Sequence, residues 1–549
     1  VKNLTIKAEN PGDVIISSGI EISLSDFTCL DAEKRLYEIT LPELISDPWP
    51  DSFRGYAGWP EVYIHDNPFH LARWPNEGWA KIDSVIERGS IPREADSAEL
   101  GGRFQSKELA LALIQGLEVE RQRTKVEKAE SQVTNPDSPI FLSGYWCYKW
   151  YDESMRVESI DYETGEVSMA APHRYGIGGP SGGLFYGINV PGFLDEDSEY
   201  YFDRETGTIR MILPERMDEN PMVQIGYRDF TLMDIQNCQN VQLEGIMFKY
   251  HNGLAVNVLN SDSVEIRHCE FRCLAQSAVE ISGGKNCGVH ASIVACIGAT
   301  GISLDGGDRS TLTPAHHYVT KSNIYNFARH IKTYAPGVKL AGVGQIVRGN
   351  RFRDAPHNAI LFTGNDHLIE NNDIKRVCWD TSDAGAIYCG RDWTMGGTVI
   401  QNNTIKDLGQ ASHHHNWAIY LDDLVSGIDI LNNIIDNCPS GILVGGGRYN
   451  RVIGNKITNC PKASIMYDGR GLNWYTQYID DPDNELWQRL WAMPITESPW
   501  KDRFPWLQEI KDDEPGVPKY VTILDNEIIN SAVPAIHPAV KEFGTIQGW

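Results

Sequence analysis

Asparagine recurs at one equivalent position through a run of short, similar segments: Asn350 in GNRFRD, Asn372 in NNDIKR, Asn403 in NNTIKD, Asn433 in NNIIDN and Asn455 in GNKITN. The intervals are 22, 31, 30 and 22 residues. Upstream, Ile246, Cys269, Ser292 and Asn323 extend the series at intervals of 23, 23 and 31, and Asn526 rejoins it after a long excursion. A period of about 22 residues, built from short strands punctuated by Gly and Asn, predicts a parallel β-helix in which each repeat is one coil and stacking buries a continuous core. The asparagines then form a ladder at a turn, their amides satisfying one another and the backbone, which is a scaffold role.

A second strand aligns within the coils: GISLDG (301–306), AILFTG (359–364), AIYCGR (386–391), AIYLDD (418–423) and GILVGG (441–446). Side chains alternate with period two, so Ile302, Ile360, Ile387, Ile419 and Ile442 are expected to point inward and Tyr388, Tyr420, Asp305 and Asp422 outward. The long coils carry eight or nine extra residues as loops, holding Trp379, Asp380, Asp383 and the histidines His413–His415. Loop length added beside an acid-bearing strand is where a solenoid acquires function.

The stretch 383–423 therefore concentrates the chemistry. Asp383 precedes one AIY strand and Asp422 and Asp423 close the next. Neighbouring coils lie about 4.8 Å apart, which brings acids distant in sequence together. Paired carboxylates about 5 Å or about 6.5–9.5 Å apart are what retaining and inverting glycoside cleavage require. The adjacency of Asp422 and Asp423 raises the pKa of one, as a general acid needs. Arg391 falls beside Asp423 in the same alignment, placed to hold a carboxylate ionised or to grip a hydroxyl. Tyr388 and Tyr420 are candidates for lining the groove, with Trp379, His357 and His415 at its rim. Asp305, Asp308 and Arg309 are candidates for a sugar contact remote from the cleavage point, or for a turn. The histidine run lacks the spacing that converges rings on a metal, so no metal site is expected there.

Bulk properties narrow the choice. The 549 residues are too many for one ordinary core but suit a solenoid with an insertion. The mean hydropathy is -0.34, and no apolar run approaches the roughly 20 residues of a membrane span, so no membrane partner is expected. A net charge of -25 disfavours nucleic acid. The 15 Trp and 23 Tyr offer flat faces for stacking on sugar rings. The 11 cysteines show no CxxC spacing and read mainly as small buried apolar residues. No phosphate-binding glycine loop or metal-ligand spacing is visible, so no cofactor is required, with room left for a structural Ca²⁺ ion.

Along the chain, residues 1–84 read as the first coils, residues 85–215 lose the period, and residues 216–549 form the main helix with a Trp-rich excursion at 474–515. The turns YETGE and DRETGT between alternating strands make the middle segment an inserted antiparallel β-sandwich. LWQRLWAM (486–493) reads as a helix.

Several strings resemble one family: LARWPNEGW (71–79), FYGINVPGFLDEDSEYYFDRETG (185–207), GGDR (306–309), DAGAIYCGRDW (383–393), IYLDD (419–423) and GGGRYN (445–450). In order and over nearly the whole chain, they are similar to the bacterial right-handed β-helix proteins around glycoside hydrolase family 141. That resemblance implies an all-β, right-handed parallel β-helix acting on plant cell-wall glycans, pectic or xylan-like, with α-L-fucosidase or xylanase activity. It implies an oligosaccharide or polysaccharide substrate and a pair of catalytic aspartates about 40 residues apart, which fall here on Asp383 and on Asp422 or Asp423. Ala384 departs from the glycine common at that place but leaves the acid intact. A secreted protein, periplasmic or extracellular, is expected. Two alternatives stay open: a lyase or epimerase acting on uronates, and a non-catalytic glycan-binding solenoid.

Overall fold

Three parallel columns of strands make up the body of the computed structural model, which describes residues 1–94, 97–124, 139–218, 220–409 and 416–548. Each coil contributes one short strand to each column. The first column runs through Ile302–Gly306, Val338–Gly342, Ile360–Phe362, Gly385–Gly390, Trp417–Asp422, Ser440–Val444 and Ala463–Tyr467. With the second column it forms a 22-stranded sheet, and the third column is an 11-stranded sheet. The expected inward residues Ile302, Ile360, Ile387, Ile419 and Ile442 are all fully buried in one continuous core. Period-two alternation is what sends this one set of residues inside.

The asparagine ladder is present as read. Asn350, Asn372, Asn403, Asn433 and Asn455 each donate through Nδ2 to the Oδ1 of the next rung at 2.9–3.1 Å, ending on Asn526. The same oxygens accept the preceding rung's backbone N–H. Buried backbone donors that face no strand are thereby satisfied. Upstream the rung is Ser322 rather than Asn323: Asn323 pairs in register with Arg351, and the Ser322 N–H donates to Asn350 Oδ1 at 2.9 Å. Ser292 continues the ladder with its hydroxyl. An unpaired turn needs only a small acceptor, so serine serves as well as asparagine.

Three features differ from the sequence reading. Only Lys2–Lys7 and Val14–Ile16 of the N-terminal segment join the coils. From Ile20 to Gly226 the chain forms three mainly antiparallel sheets, so the strands expected to be coils up to residue 84 belong to the insertion. Glu61–Ile64 pairs antiparallel with Met222–Gly226, and Arg73–Trp74 with Leu184–Ile188. The insertion also holds a helix, Lys107–Thr124. Alternation marks a half-buried strand but not the direction of its partner, which is why the boundary at 85 falls too late. Finally, Val338–Gly342 (VKLAG) is a strand of the first column, paired with Ile302–Gly306 and Ile360–Phe362. Asp305 is therefore four strands, or about 19 Å, from Asp422 along the solenoid.

The Trp-rich excursion folds as short helices, among them Glu485–Trp491, whose Leu486, Trp487 and Leu490 pack with Trp393 and Leu424 of the coils. It covers the exit ends of the first-column strands. The insertion meets their entry ends. Asp152 accepts hydrogen bonds from the Lys332 and Thr333 backbone at 2.8 and 3.1 Å, Tyr145 donates to Asp380 at 3.2 Å, and the Ser382 N–H donates to the Lys149 carbonyl at 3.3 Å.

Candidate active site

Between these two walls the outward face of the first column forms a groove floor. Gly385–Gly390 and Trp417–Asp422 lie in parallel register, with Tyr388 opposite Tyr420 and Gly390 opposite Asp422. The residue after each strand turns in the left-handed region, Arg391 at φ 63° and Asp423 at φ 29°. Identical corners on adjacent coils stack, and Arg391 Nε donates to Asp423 Oδ2 at 3.0 Å.

Two tyrosines span the floor. Their rings meet edge to face with centroids 5.3 Å apart. The Tyr420 hydroxyl reaches Asp383 Oδ1 at the entry end (3.2 Å), and the Tyr388 hydroxyl reaches Asp422 Oδ2 at the exit end (2.9 Å). Asp383 and Asp422 are thus joined through one pair of rings. Tyr420 is only 4% exposed, because Trp417, Leu443 and Met466 pack around it. Its face is therefore covered and its hydroxyl acts on Asp383. Tyr334 packs beside Tyr388 and over His357.

The three acids have different surroundings. Asp383 is an exposed residue whose carboxyl nonetheless lies against the protein, with the Tyr420 hydroxyl at 3.2 Å. Burial, and then the charge of Asp422, push its pKa up to about 6, against the pull of Arg470, the Tyr420 hydrogen bond and Arg391. Solvent at the open side offsets part of that desolvation. Asp422 is 9% exposed and accepts from Arg470, Tyr388 and the Asp423 N–H, with the Asp423 carboxylate next to it on the same guanidinium. Asp423 is 2% exposed, with Arg391 on one oxygen and Arg470 on the other at 2.8 Å. Burial and Asp422 push Asp423 upward, and Arg470 and Arg391 oppose them. Each of its oxygens is held by an arginine, which makes it an anchor for the two.

Arg470 was not singled out from the sequence and is the hub of the site. Its NH1 donates to both Asp422 and Asp423, and its Nε and NH2 hold Asp468 at 2.8–3.1 Å. The signal was available: ASIMYDG (463–469) continues the strand alignment, Ile442 pairs with Ile465, and Asp468 falls in the Asp422 column. Trp474, 57% exposed, lies over the Arg470 guanidinium at 5.5 Å. Beyond Arg391, Arg489 donates to its carbonyl at 2.7 Å and fixes the corner from the excursion side.

Other expected contacts fall elsewhere. His357 is 2% exposed beneath Tyr334, out of reach of a ligand in the groove, so it supports Tyr334 rather than contacting sugar. Asp308 accepts from the Ser310 N–H and hydroxyl and closes a turn. Arg309 is spent on Asn365 (2.8 Å) and Thr394 (2.7 Å), tying three coils together. Asp305 is exposed but remote. Trp379 is exposed on the loop before Asp383. His413–His415 lie outside the described residues. Among the described residues, no group of three or more His, Cys, Asp or Glu is disposed to hold a metal ion.

A family profile described as "right handed beta helix region" matches residues 316–476, the coils that carry this site. The chain is a right-handed parallel β-helix. Among solved structures, a protein titled "Glycoside hydrolase" aligns with a TM-score of 0.58 and 13% identity over 84% of this chain and 88% of its own. The complex of XylC with xylose aligns with a TM-score of 0.50 and 11% identity over 97% of this chain and 75% of that one. At such identities the likeness is one of fold, and it extends across the insertion as well as the coils. No curated protein sequence matches this chain.

Proposed function

We propose that the protein is a glycoside hydrolase, cleaving a glycosidic bond in a plant-type glycan of pectic or xylan-like composition. The observation that carries this reading is the opposite environment of two carboxyl groups on one groove floor. Asp383 is open to substrate and holds its proton up to about pH 6, which suits a general acid. Asp422 accepts from Tyr388, Arg470 and the Asp423 N–H and serves as the carboxylate that faces the positive charge developing at the anomeric carbon. Protonation by Asp383 of the leaving oxygen allows the C–O bond to break with the electron pair departing on the aglycone, and a water oxygen bonds to the anomeric carbon and gives up a proton to a carboxylate of the pair. Asp423 and Arg470 position Asp422, and Arg391 positions Asp423. The resemblance to family 141 and the titles of the two similar structures support a glycan substrate, with fucosidase or xylanase action as the finer reading.

The test is release of reducing sugar from xylan, pectin and fucosylated oligosaccharides by the parent and by Asp383→Asn, Asp422→Asn and Asp423→Asn. Asp383→Asn is nearly isosteric at an exposed site, so folding is kept and turnover drops by at least about 10²-fold. Asp423→Asn is expected to be milder than Asp422→Asn. Near wild-type turnover in both the Asp383 and Asp422 variants would refute the assignment. Unsaturated products absorbing in the near ultraviolet would make the enzyme a lyase.

A further inference from the structure

A cleft of about 660 Å³ lies in the insertion, with Ser382, the residue before Asp383, as the one residue of the coils in its wall. This is within the range of about 300–1,000 Å³ typical of small-molecule sites. Its walls are Trp79, Lys81, Lys149, the glycine-rich loop 178–183 and Ser382. Ser382 is 1% exposed and its hydroxyl has no hydrogen-bond partner.

The cleft is built rather than incidental. A Cβ on Gly179 or Gly182 would lie 2.3 or 2.5 Å from the Cys147 backbone, so only glycine lets the loop pack there. The N–H groups of Gly178 and Gly183 both donate to the Trp146 carbonyl, at 2.9 and 3.1 Å. The Lys149 N–H donates to the Ser181 hydroxyl at 3.2 Å. Trp79 is half-buried and held by Tyr145 and Tyr186, with ring centroids 5.0 and 5.2 Å away.

Charge is the informative part. Among the described residues neither Lys81 nor Lys149 has a carboxylate partner, in a chain whose net charge is -25. The one acid in the wall, Asp83, accepts the Lys107 N–H at 3.0 Å. Two lysines without a carboxylate partner in the wall of one cleft, with an indole beside them, match a sugar that carries an anionic group.

We infer that this cleft is a subsite for a uronate unit adjoining the bond that Asp383 protonates, an assignment that rests on the hydrolase reading only for its position next to the cleavage point. The Lys149 and Lys81 ammonium groups bind the carboxylate, and Trp79 packs on the ring.

Calorimetric titration of the whole protein with a galacturonate trisaccharide, its methyl ester and a sulfated neutral trisaccharide tests this. The acid is expected to bind at least about tenfold tighter than the ester, with a preference that shrinks as salt is raised. Lys149→Met and, separately, the exposed Lys81→Met should reduce that preference while leaving affinity for the ester unchanged. Equal binding of acid and ester, an unchanged preference in both variants, or preference for the sulfated sugar would overturn the uronate assignment. Acid preference without cleavage of any glycan by the parent would sink the hydrolase reading and leave the subsite standing. Cleavage of neutral glycans without acid preference would do the reverse.

Discussion

Replacing Arg470 by Met tests the electrostatic design of the site most directly. Arg470 is 6% exposed and its guanidinium faces Asp422, Asp423 and Asp468. With charge centres about 4 Å apart and an effective dielectric near 20, each attraction is worth about 4 kcal/mol. Desolvation offsets most of that, and removing one partner of a buried pair typically costs about 3–5 kcal/mol because the other charges are stranded. Asp423 keeps Arg391, but Asp422 keeps only a hydroxyl and an N–H. A loss of about 3–5 kcal/mol is therefore expected, read as a lowered urea midpoint for the transition that includes the Trp-rich excursion. The double variant Arg470→Met/Asp422→Asn should regain part of the stability loss, since it removes the stranded charge. Residual activity carries a second signature. Arg470 pulls the Asp383 pKa down, so without it the alkaline limb of kcat/KM should move to higher pH. A midpoint within about 0.5 kcal/mol of the parent, no gain in the double variant and an unmoved limb would together refute the hub role.

In the parent, kcat/KM should fall about tenfold per pH unit as pH rises through about 6, because Asp383 must carry a proton to act; a rate that increases across that range would exclude it as the acid. Asn403→Ala removes the acceptor of the Asn372 N–H and the donor to the Ile369 carbonyl, leaving buried groups unpaired at about 1–3 kcal/mol each; thermal unfolding should come earlier while kcat of the folded protein is unchanged. Glu61 is 2% exposed at the seam between insertion and coils. Burial raises its pKa, but His330 and Arg329 together hold it well below the usual range; because burial keeps His330 neutral near pH 7, the Arg329 cation at 2.6 Å is the effective partner. A depressed folded pKa contributes stability above the ordinary glutamate value of about 4.3 and loses it as pH falls further. Proteolysis at the seam should thus appear below about pH 4, and Arg329→Met should bring the same sensitivity to neutral pH.

The sequence alone determined the solenoid. Its period, the inward isoleucines and the asparagine ladder are local or periodic quantities, and each rung obeys the same hydrogen-bond requirement, so reading one reads all. The stack of Gly385–Gly390 on Trp417–Asp422 also followed from that period, and with it the meetings of Tyr388 with Tyr420 and of Arg391 with Asp423. What the period could not supply is whatever lies off the repeat. The antiparallel partners of residues 20–84 sit more than a hundred residues away, and a strand's alternation does not name its partner. His357 and Arg309 looked available because polarity in sequence does not reveal burial or spent donors. Arg470 was missed although ASIMYDG (463–469) continues the strand alignment, because its importance comes from three carboxylates that meet only when the corners of stacked coils come together. The tertiary structure alone decided which of three adjacent acids faces solvent, since desolvation and charge coupling depend on distances between elements that the chain brings together only once folded.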